Sequence, residues 1–185
     1  MANHGRFSDN PQTEWLVDPA GPDRDMKLLR EFWYEDPTGR RWTAPKGSRI
    51  NGASIPRPLW SVVGSPYTDD YRCASIVHDV VCRDPAIPRQ DADRMFSFAC
   101  LAGGCSKTQA RVLYLGVRVG DWATNTHKLT LPSRTRLLFR LPTARKTADE
   151  RELLDRFTTV ARKLKTLDDA ADFDAVEALI EAELQ

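Results

Sequence analysis

Two helical stretches separated by a linker with two prolines constrain this chain more than any other feature. The first is predicted over Asp69–Cys82 and the second over Arg89–Ala102, where Gly103 and Gly104 end it. No helix crosses the linker at 83–88, because proline lacks a backbone N–H and clashes with the preceding turn. So short a connection predicts two helices that run antiparallel and pack side by side.

The sequence before these helices is typical of β-structure. Strands are predicted over Glu14–Asp18, Met26–Tyr34 and Arg40–Ala44, and the last two form a hairpin around the turn at 35–39. After the helical pair, Ser106–Ala123 is predicted as a further helix, with Ser106 as its N-cap.

The C-terminal part of the chain shows amphipathic periodicity. Apolar residues recur at helical spacing over Asp149–Leu167 and again over Asp172–Leu184. These two helices either pack back on the domain or form an oligomer contact. The expected fold class is therefore α+β: a small antiparallel hairpin or sheet on the N-terminal side, a bundle of helices, and C-terminal amphipathic helices.

The predicted organisation has four parts: a flexible arm over 1–13, a core domain over 14–125, a basic connector over 126–148 and a C-terminal helical appendage over 149–185. The basic residues of the connector are typical of a solvated surface. A docking surface for an acidic partner is the alternative.

Charge and hydropathy exclude several classes of protein. The net charge is +1, from 27 basic and 26 acidic side chains, so bulk attraction to nucleic acid is not expected. No apolar run is long enough for a transmembrane helix, and the polar N-terminus does not resemble a signal peptide. These features predict a protein kept in a reducing cytoplasm.

Four cysteines, at positions 73, 82, 100 and 105, lack the C-x-x-C spacing of zinc sites. We expect reduced, mostly buried thiols. A disulfide between Cys82 and Cys100 on neighbouring helices is the alternative.

His78 and Asp79 are the candidates for chemistry. Helical spacing places His78 and Cys82 on one face, and the next helix offers Asp93 or Asp91 to one ring nitrogen. A carboxylate in that position fixes the tautomer of the imidazole, so that the ring can act as a general base toward water. Asp79 is a candidate ligand for a hard cation such as Ca²⁺.

A loop before the helical pair is expected to line a cleft above His78. Its polar side chains are those of Asn51, Ser54 and Arg57, and Cys82 faces them from the helix. Each of these features also has a purely structural interpretation. His78 and Asp93 tie two helices together as a buried polar pair, Asp79 bridges to Arg83 at i+4, and the loop is a turn into a helix at Pro56.

The stretch from about 33 to 120 resembles a domain family found in phages, prophages and bacteria. The resemblance rests on GASIPR at 52–57 with Trp60 after it, the His78-Asp79 pair, and Ala92-Asp93-x-x-Phe96. A more distant similarity is to phospholipase A2-type folds, which implies His78 as base, Asp79 as calcium ligand and Asp93 as the residue that orients the ring. Cys82 stands where those folds carry tyrosine, and no clear calcium loop is present.

These resemblances lead to two expected functions. The first is a phage-associated virion, assembly or interaction component. Its protein contacts would run through the N-terminal arm, the basic connector and the C-terminal helices, in an oligomer or particle. The alternative is a small hydrolase of phospholipase A2 type, acting on the cell envelope with Ca²⁺, and membrane lipid is a partner only in that case. The expected location is the bacterial cytoplasm or the phage particle.

Overall fold

A computed structural model describes residues 3–17, 25–65, 70–126, 147–168 and 170–184. Two small antiparallel sheets lie on the N-terminal side, and helices follow them, so the α+β fold class is confirmed. The basic connector lies outside the described residues from 127 to 146.

The two sheets each contain three strands. The strands are β1 (Arg6–Phe7), β2 (Thr13–Trp15), β3 (Met26–Leu28), β4 (Phe32–Glu35), β5 (Arg41–Ala44) and β6 (Arg49–Ile50). One sheet has the order β1-β4-β5, and the other has the order β2-β3-β6. The predicted hairpin is β4–β5, in which Tyr34 pairs with Trp42.

The single strand predicted over Met26–Tyr34 is wrong, because the chain divides there into β3 and β4, which belong to different sheets. Leu28 and Phe32 are buried, and strict alternation would also have buried the residue midway between them, Arg30. A bend over 29–30 keeps that guanidinium exposed.

The expectation of a flexible arm over 1–13 also needs correction where residues are described. Arg6 and Phe7 form β1 along the edge of β4, and the hydroxyl of Tyr34 donates a hydrogen bond to the carbonyl of His4. Phe7 stacks on Phe32 with ring centroids 5.7 Å apart. The aromatic side chain in an otherwise polar segment is therefore what fixes this part of the chain to the sheet.

The helices lie close to their expected positions. A 3₁₀ turn (Arg57–Leu59) leads into α1 (Trp60–Val63), and α2 (Arg72–Val81), α3 (Arg89–Ala102) and α4 (Lys107–Asp121) follow. A π-helical segment (Trp122–Thr126) extends α4, and α5 (Ala148–Lys165) and α6 (Phe173–Leu184) complete the fold. The Ser106 hydroxyl caps α4 as predicted, accepting a hydrogen bond from the backbone of Gln109.

The C-terminal helices pack back on the domain, which was one of the two alternatives. Phe157 of α5 and Ile180 of α6 are fully buried in the same core as the residues of α2, α3 and α4. Glu177 of α6 is buried as well. Its carboxylate accepts hydrogen bonds from the hydroxyl of Tyr114, at 2.7 Å, and from the guanidinium of Arg94.

Two glycines on α4 let the loop over 51–56 approach the helix backbone. A Cβ at Gly120 would lie 2.6 Å from the carbonyl oxygen of Ser54 and 2.9 Å from the ring of Pro56. A Cβ at Gly116, one turn earlier, would meet only the side chain of Ile55, at 3.3 Å. This close packing sets the position of the loop relative to α2 and α4.

The two glycines give a matched pair of variants. Gly120→Ala is expected to lower the free energy of unfolding by about 1–3 kcal/mol, because the clash is with backbone and a proline ring that cannot move away. Gly116→Ala is expected to be close to neutral, because the Ile55 side chain can shift and alanine favours the helix by about 1 kcal/mol. Urea unfolding of both variants measures the difference, and equal losses would contradict the packing described.

Candidate functional site

His78 and Asp93 meet in the centre of the molecule. Nε2 of His78 on α2 lies 2.8 Å from Oδ1 of Asp93 on α3, and both side chains have no exposed surface. The ring of Phe96 packs against the imidazole with centroids 4.8 Å apart. The antiparallel pairing of α2 and α3 is therefore what brings the two residues together.

Two arginines complete the surroundings of the Asp93 carboxylate. Nε of Arg89, one turn earlier on α3, donates to Oδ1 at 2.9 Å. Nη1 of Arg118 on α4 forms an ion pair with Oδ2 at 3.5 Å. Three helices thus contribute partners to a single carboxylate. Such pairing offsets the cost of removing a charge from water.

The charge of this carboxylate decides the direction of its hydrogen bonds. Burial raises the pKa of Asp93, but the hydrogen bond from His78 and the charges of Arg89 and Arg118 more than offset this and bring it below its ordinary value. An ionised carboxylate only accepts, so Nε2 of His78 must carry the proton that it donates. Nδ1 of His78 is buried and has no hydrogen-bond partner among the described residues.

Asp79 lies beside His78 in sequence but belongs to a different set of contacts. Its Oδ2 accepts hydrogen bonds from the backbone N–H of Asn51 and from Nη2 of Arg83, both at 2.7 Å. Burial raises the pKa of Asp79 and outweighs the opposing effects of the Asn51 N–H and the Arg83 charge. This is the i+4 bridge that the sequence offered as the structural alternative.

These contacts do not fit a calcium site. The guanidinium of Arg83 supplies the positive charge next to Asp79, and the amide of Asn51 uses the same oxygen. Across the ranges described, no cluster of three or more His, Cys, Asp or Glu side chains could hold a metal ion. Ca²⁺ prefers six to eight oxygen ligands, and this position offers one occupied carboxylate.

The remaining candidate residues divide into those near the pair and those away from it. The hydroxyl of Ser54 lies 3.4 Å from the thiol of Cys82, on the half-buried side of α2. The guanidinium of Arg57 lies over the ring of Trp60. Asp91 lies at the surface, with its carboxylate 3.8 Å from Arg40, so Asp93 and not Asp91 is the residue that meets His78.

Sequence reasoning missed both arginines of this site. Arg89 and Asp93 stand at i and i+4 on a predicted helix, so their pairing was readable from the sequence. Arg118 is 25 residues further along the chain than Asp93, and its approach depends on how α4 packs against α3.

Comparison with known proteins finds similarity to one family and to two relatives. Residues 26–117 match the model of the family described as "Protein of unknown function (DUF1353)". The match covers just under half of this chain. The matched region includes β3 to β6, together with His78, Asp79 and Asp93.

Two relatives come from Sinorhizobium fredii (strain NBRC 101917 / NGR234). The chain is similar to the uncharacterized protein y4jT, with 29% identity over 184 residues, covering 89% of this chain and 54% of that protein. It is also similar to the uncharacterized protein y4iH, with 38% identity over 103 residues, covering 55% of this chain and 43% of that protein. The chain thus spans about half the length of these relatives. No solved structure matches it significantly.

No helix in the described part of the chain combines the length and apolar character needed to cross a membrane.

Asp93 and Asp91 offer a matched pair of variants on one helix. Asp93→Asn is expected to lower the free energy of unfolding by about 3 kcal/mol, because Arg89 and Arg118 lose their shared counter-charge. Asp91→Asn is expected to cost less than about 0.5 kcal/mol, because its pair with Arg40 is exposed. Urea unfolding with circular dichroism measures both, and similar losses would contradict the role given to Asp93.

The effect of Asp93→Asn is also expected to depend on pH. The folded-state pKa of Asp93 lies below the ordinary value of 3.8, so its contribution is present above that value and is lost as the pH falls through the folded pKa. The difference in unfolding free energy between wild type and variant should therefore shrink below about pH 4. Asp79 has a raised pKa, which acts in the opposite sense. Both wild type and variant contain Asp79, so its effect cancels in the difference. A difference that stays constant from pH 7 to pH 3 would refute the prediction.

Proposed function

We propose that this chain is an assembly or interaction component in which the His78–Asp93 pair is structural. One observation carries the proposal: His78 and Asp93 are completely buried, and the Asp93 carboxylate pairs with side chains from three helices. A general base must come within hydrogen-bond distance of the proton that it removes. A ring without exposed surface offers no such approach to a substrate.

The phage association in this proposal has a separate basis. It rests on the resemblance of GASIPR at 52–57, the His78-Asp79 pair and the AD-x-x-F stretch to a domain family found in phages and prophages. A particle component needs a stable scaffold and a surface for contacts. The central network of buried charges serves the first of these needs.

Exposed apolar side chains support the second need, a surface for contacts. Trp15 and Val17 are 59% and 79% exposed, and Leu29, just after β3, is 37% exposed. Aromatic side chains are enriched in protein interfaces, and neighbouring exposed apolar residues mark contact surfaces. We therefore assign the contact with another particle subunit to β2, the edge strand of its sheet, and the residues beside it. This surface lies next to the N-terminal segment expected to bind partners.

The experiment uses particles released from a bacterial strain that carries this gene in a prophage. We expect the protein to sediment with purified particles and Trp15→Arg to remain in the soluble fraction, because a charge replaces the apolar contact. Val62→Arg is the matched control, since Val62 is 55% exposed and belongs to α1 and not to the β2–β3–β6 sheet. Wild-type protein that stays soluble after induction would contradict the particle role.

A second candidate function is hydrolysis, and one observation favours it. Asp93 holds Nε2 of His78 and leaves Nδ1 without a hydrogen-bond partner among the described residues, which is the orientation of a general base. Such a reaction would require α2 to be exposed by a movement of the neighbouring elements.

Release of fatty acid from phospholipid vesicles separates the two functions. We expect no turnover by the wild type, with Ca²⁺ or with chelator, and a lower melting temperature for His78→Ala. His78-dependent turnover, lost in a His78→Gln variant that still melts near the wild-type temperature, would establish the hydrolase and overturn the structural assignment.

A further inference from the structure

The corner between α3 and α4 contains a helix cap with two cysteines. The N–H of Cys105 donates to the carbonyl of Cys100 at 3.1 Å, and the N–H of Gly104 donates to the carbonyl of Leu101 at 3.2 Å. Gly104 has a φ of 109°, a conformation that favours glycine. These are the two hydrogen bonds of a Schellman motif. In this motif the two residues joined by the outer hydrogen bond, here Cys100 and Cys105, bring their side chains into contact.

Here that contact joins two thiols. Cys100 is completely buried, Cys105 is 6% exposed, and both are free cysteines of the same buried core. The corner is also held from outside. A Cβ at Gly103 would lie 2.2 Å from the carbonyl oxygen of Asp70, so the glycine backbone packs directly against the chain that enters α2. The thiols are therefore kept together by the fold as well as by the short loop.

We propose that Cys100 and Cys105 are a reversible dithiol–disulfide pair that exchanges with low-molecular-weight disulfides. The Cys105 thiolate attacks a small disulfide, forms a mixed disulfide and releases one small thiolate. The Cys100 thiolate then attacks the Cys105 sulfur, closes the protein disulfide and releases the second small thiolate. Both protein thiols lose their protons, two electrons pass to the small disulfide, and two small thiols result.

Exposure sets the order of the two attacks. Cys105 keeps some exposed surface and is the first nucleophile, whereas Cys100 has none and can only resolve the mixed disulfide. Burial and the neighbouring thiol raise the pKa of Cys100. The closing step is therefore expected to accelerate as the pH rises, because only the thiolate attacks.

The other two cysteines provide an internal control. Cys73 and Cys82 lie on one continuous stretch of α2 and its cap, nine residues apart. At about 1.5 Å of rise per residue they are separated by roughly 13 Å along the helix, beyond the reach of a disulfide. Trypsin places each pair in one peptide, 73–83 for the control and 95–107 for the proposed pair.

The experiment equilibrates the native protein in mixtures of oxidised and reduced glutathione. Samples are quenched in acid, alkylated in denaturant, digested and examined by mass spectrometry. We expect peptide 95–107 to lose two hydrogen atoms and both alkylation sites, and peptide 73–83 to show no internal disulfide. In the Cys100→Ser variant, the reaction should stop at a glutathione adduct on Cys105.

Three results would overturn the proposal. The first is peptide 95–107 with two alkylated thiols at every glutathione ratio. The second is a glutathione adduct on wild-type Cys105 that is never resolved. The third is closure that occurs as readily in urea-unfolded protein as in native protein, because the cap would then contribute nothing.

Discussion

The structure depends on how one buried negative charge is satisfied. The carboxylate of Asp93 has no contact with water, and an unpaired charge in that position would cost several kcal/mol. Its Oδ1 is hydrogen-bonded to His78 on α2 and Arg89 on α3, and its Oδ2 forms an ion pair with Arg118 on α4. Because these partners come from three different helices, the carboxylate helps to fix the relative position of α2, α3 and α4. Apolar packing alone would define that position less sharply.

The same contacts explain why motif residues do not by themselves define an active site. A histidine followed by aspartate, with a second aspartate on an antiparallel helix, is compatible with a general base and a calcium ligand. In this chain Arg83 and the backbone of Asn51 satisfy Asp79, and the imidazole lies under Phe96 with no exposed surface. His78 and Asp79 therefore belong to two separate polar clusters, one that joins α2 to α3 and one that joins α2 to the loop at Asn51.

Much of the fold could be predicted, because the helices are strongly periodic and are bounded by proline, glycine and a serine cap. The bounds of α3 agree with the prediction, whereas Met26–Tyr34 divides into two strands because one charged residue could not be buried. Contacts between residues close in sequence, such as Arg83 with Asp79, were readable at i+4 spacing. Arg118 with Asp93 and Tyr114 with Glu177 were not, because they depend on how helices pack in three dimensions.

The most direct test of the central claim is deuterium exchange at Cε1 of His78, followed by mass spectrometry of peptide 73–83, in which His78 is the only histidine. This exchange requires solvent at the imidazole ring. A buried, structural His78 predicts exchange far slower in the native protein than in urea-unfolded protein, with the unfolded rate recovered only when the chain unfolds. Exchange in the native protein at the unfolded rate would mean that water reaches the ring, and the structural account of the His78–Asp93 pair would then be wrong.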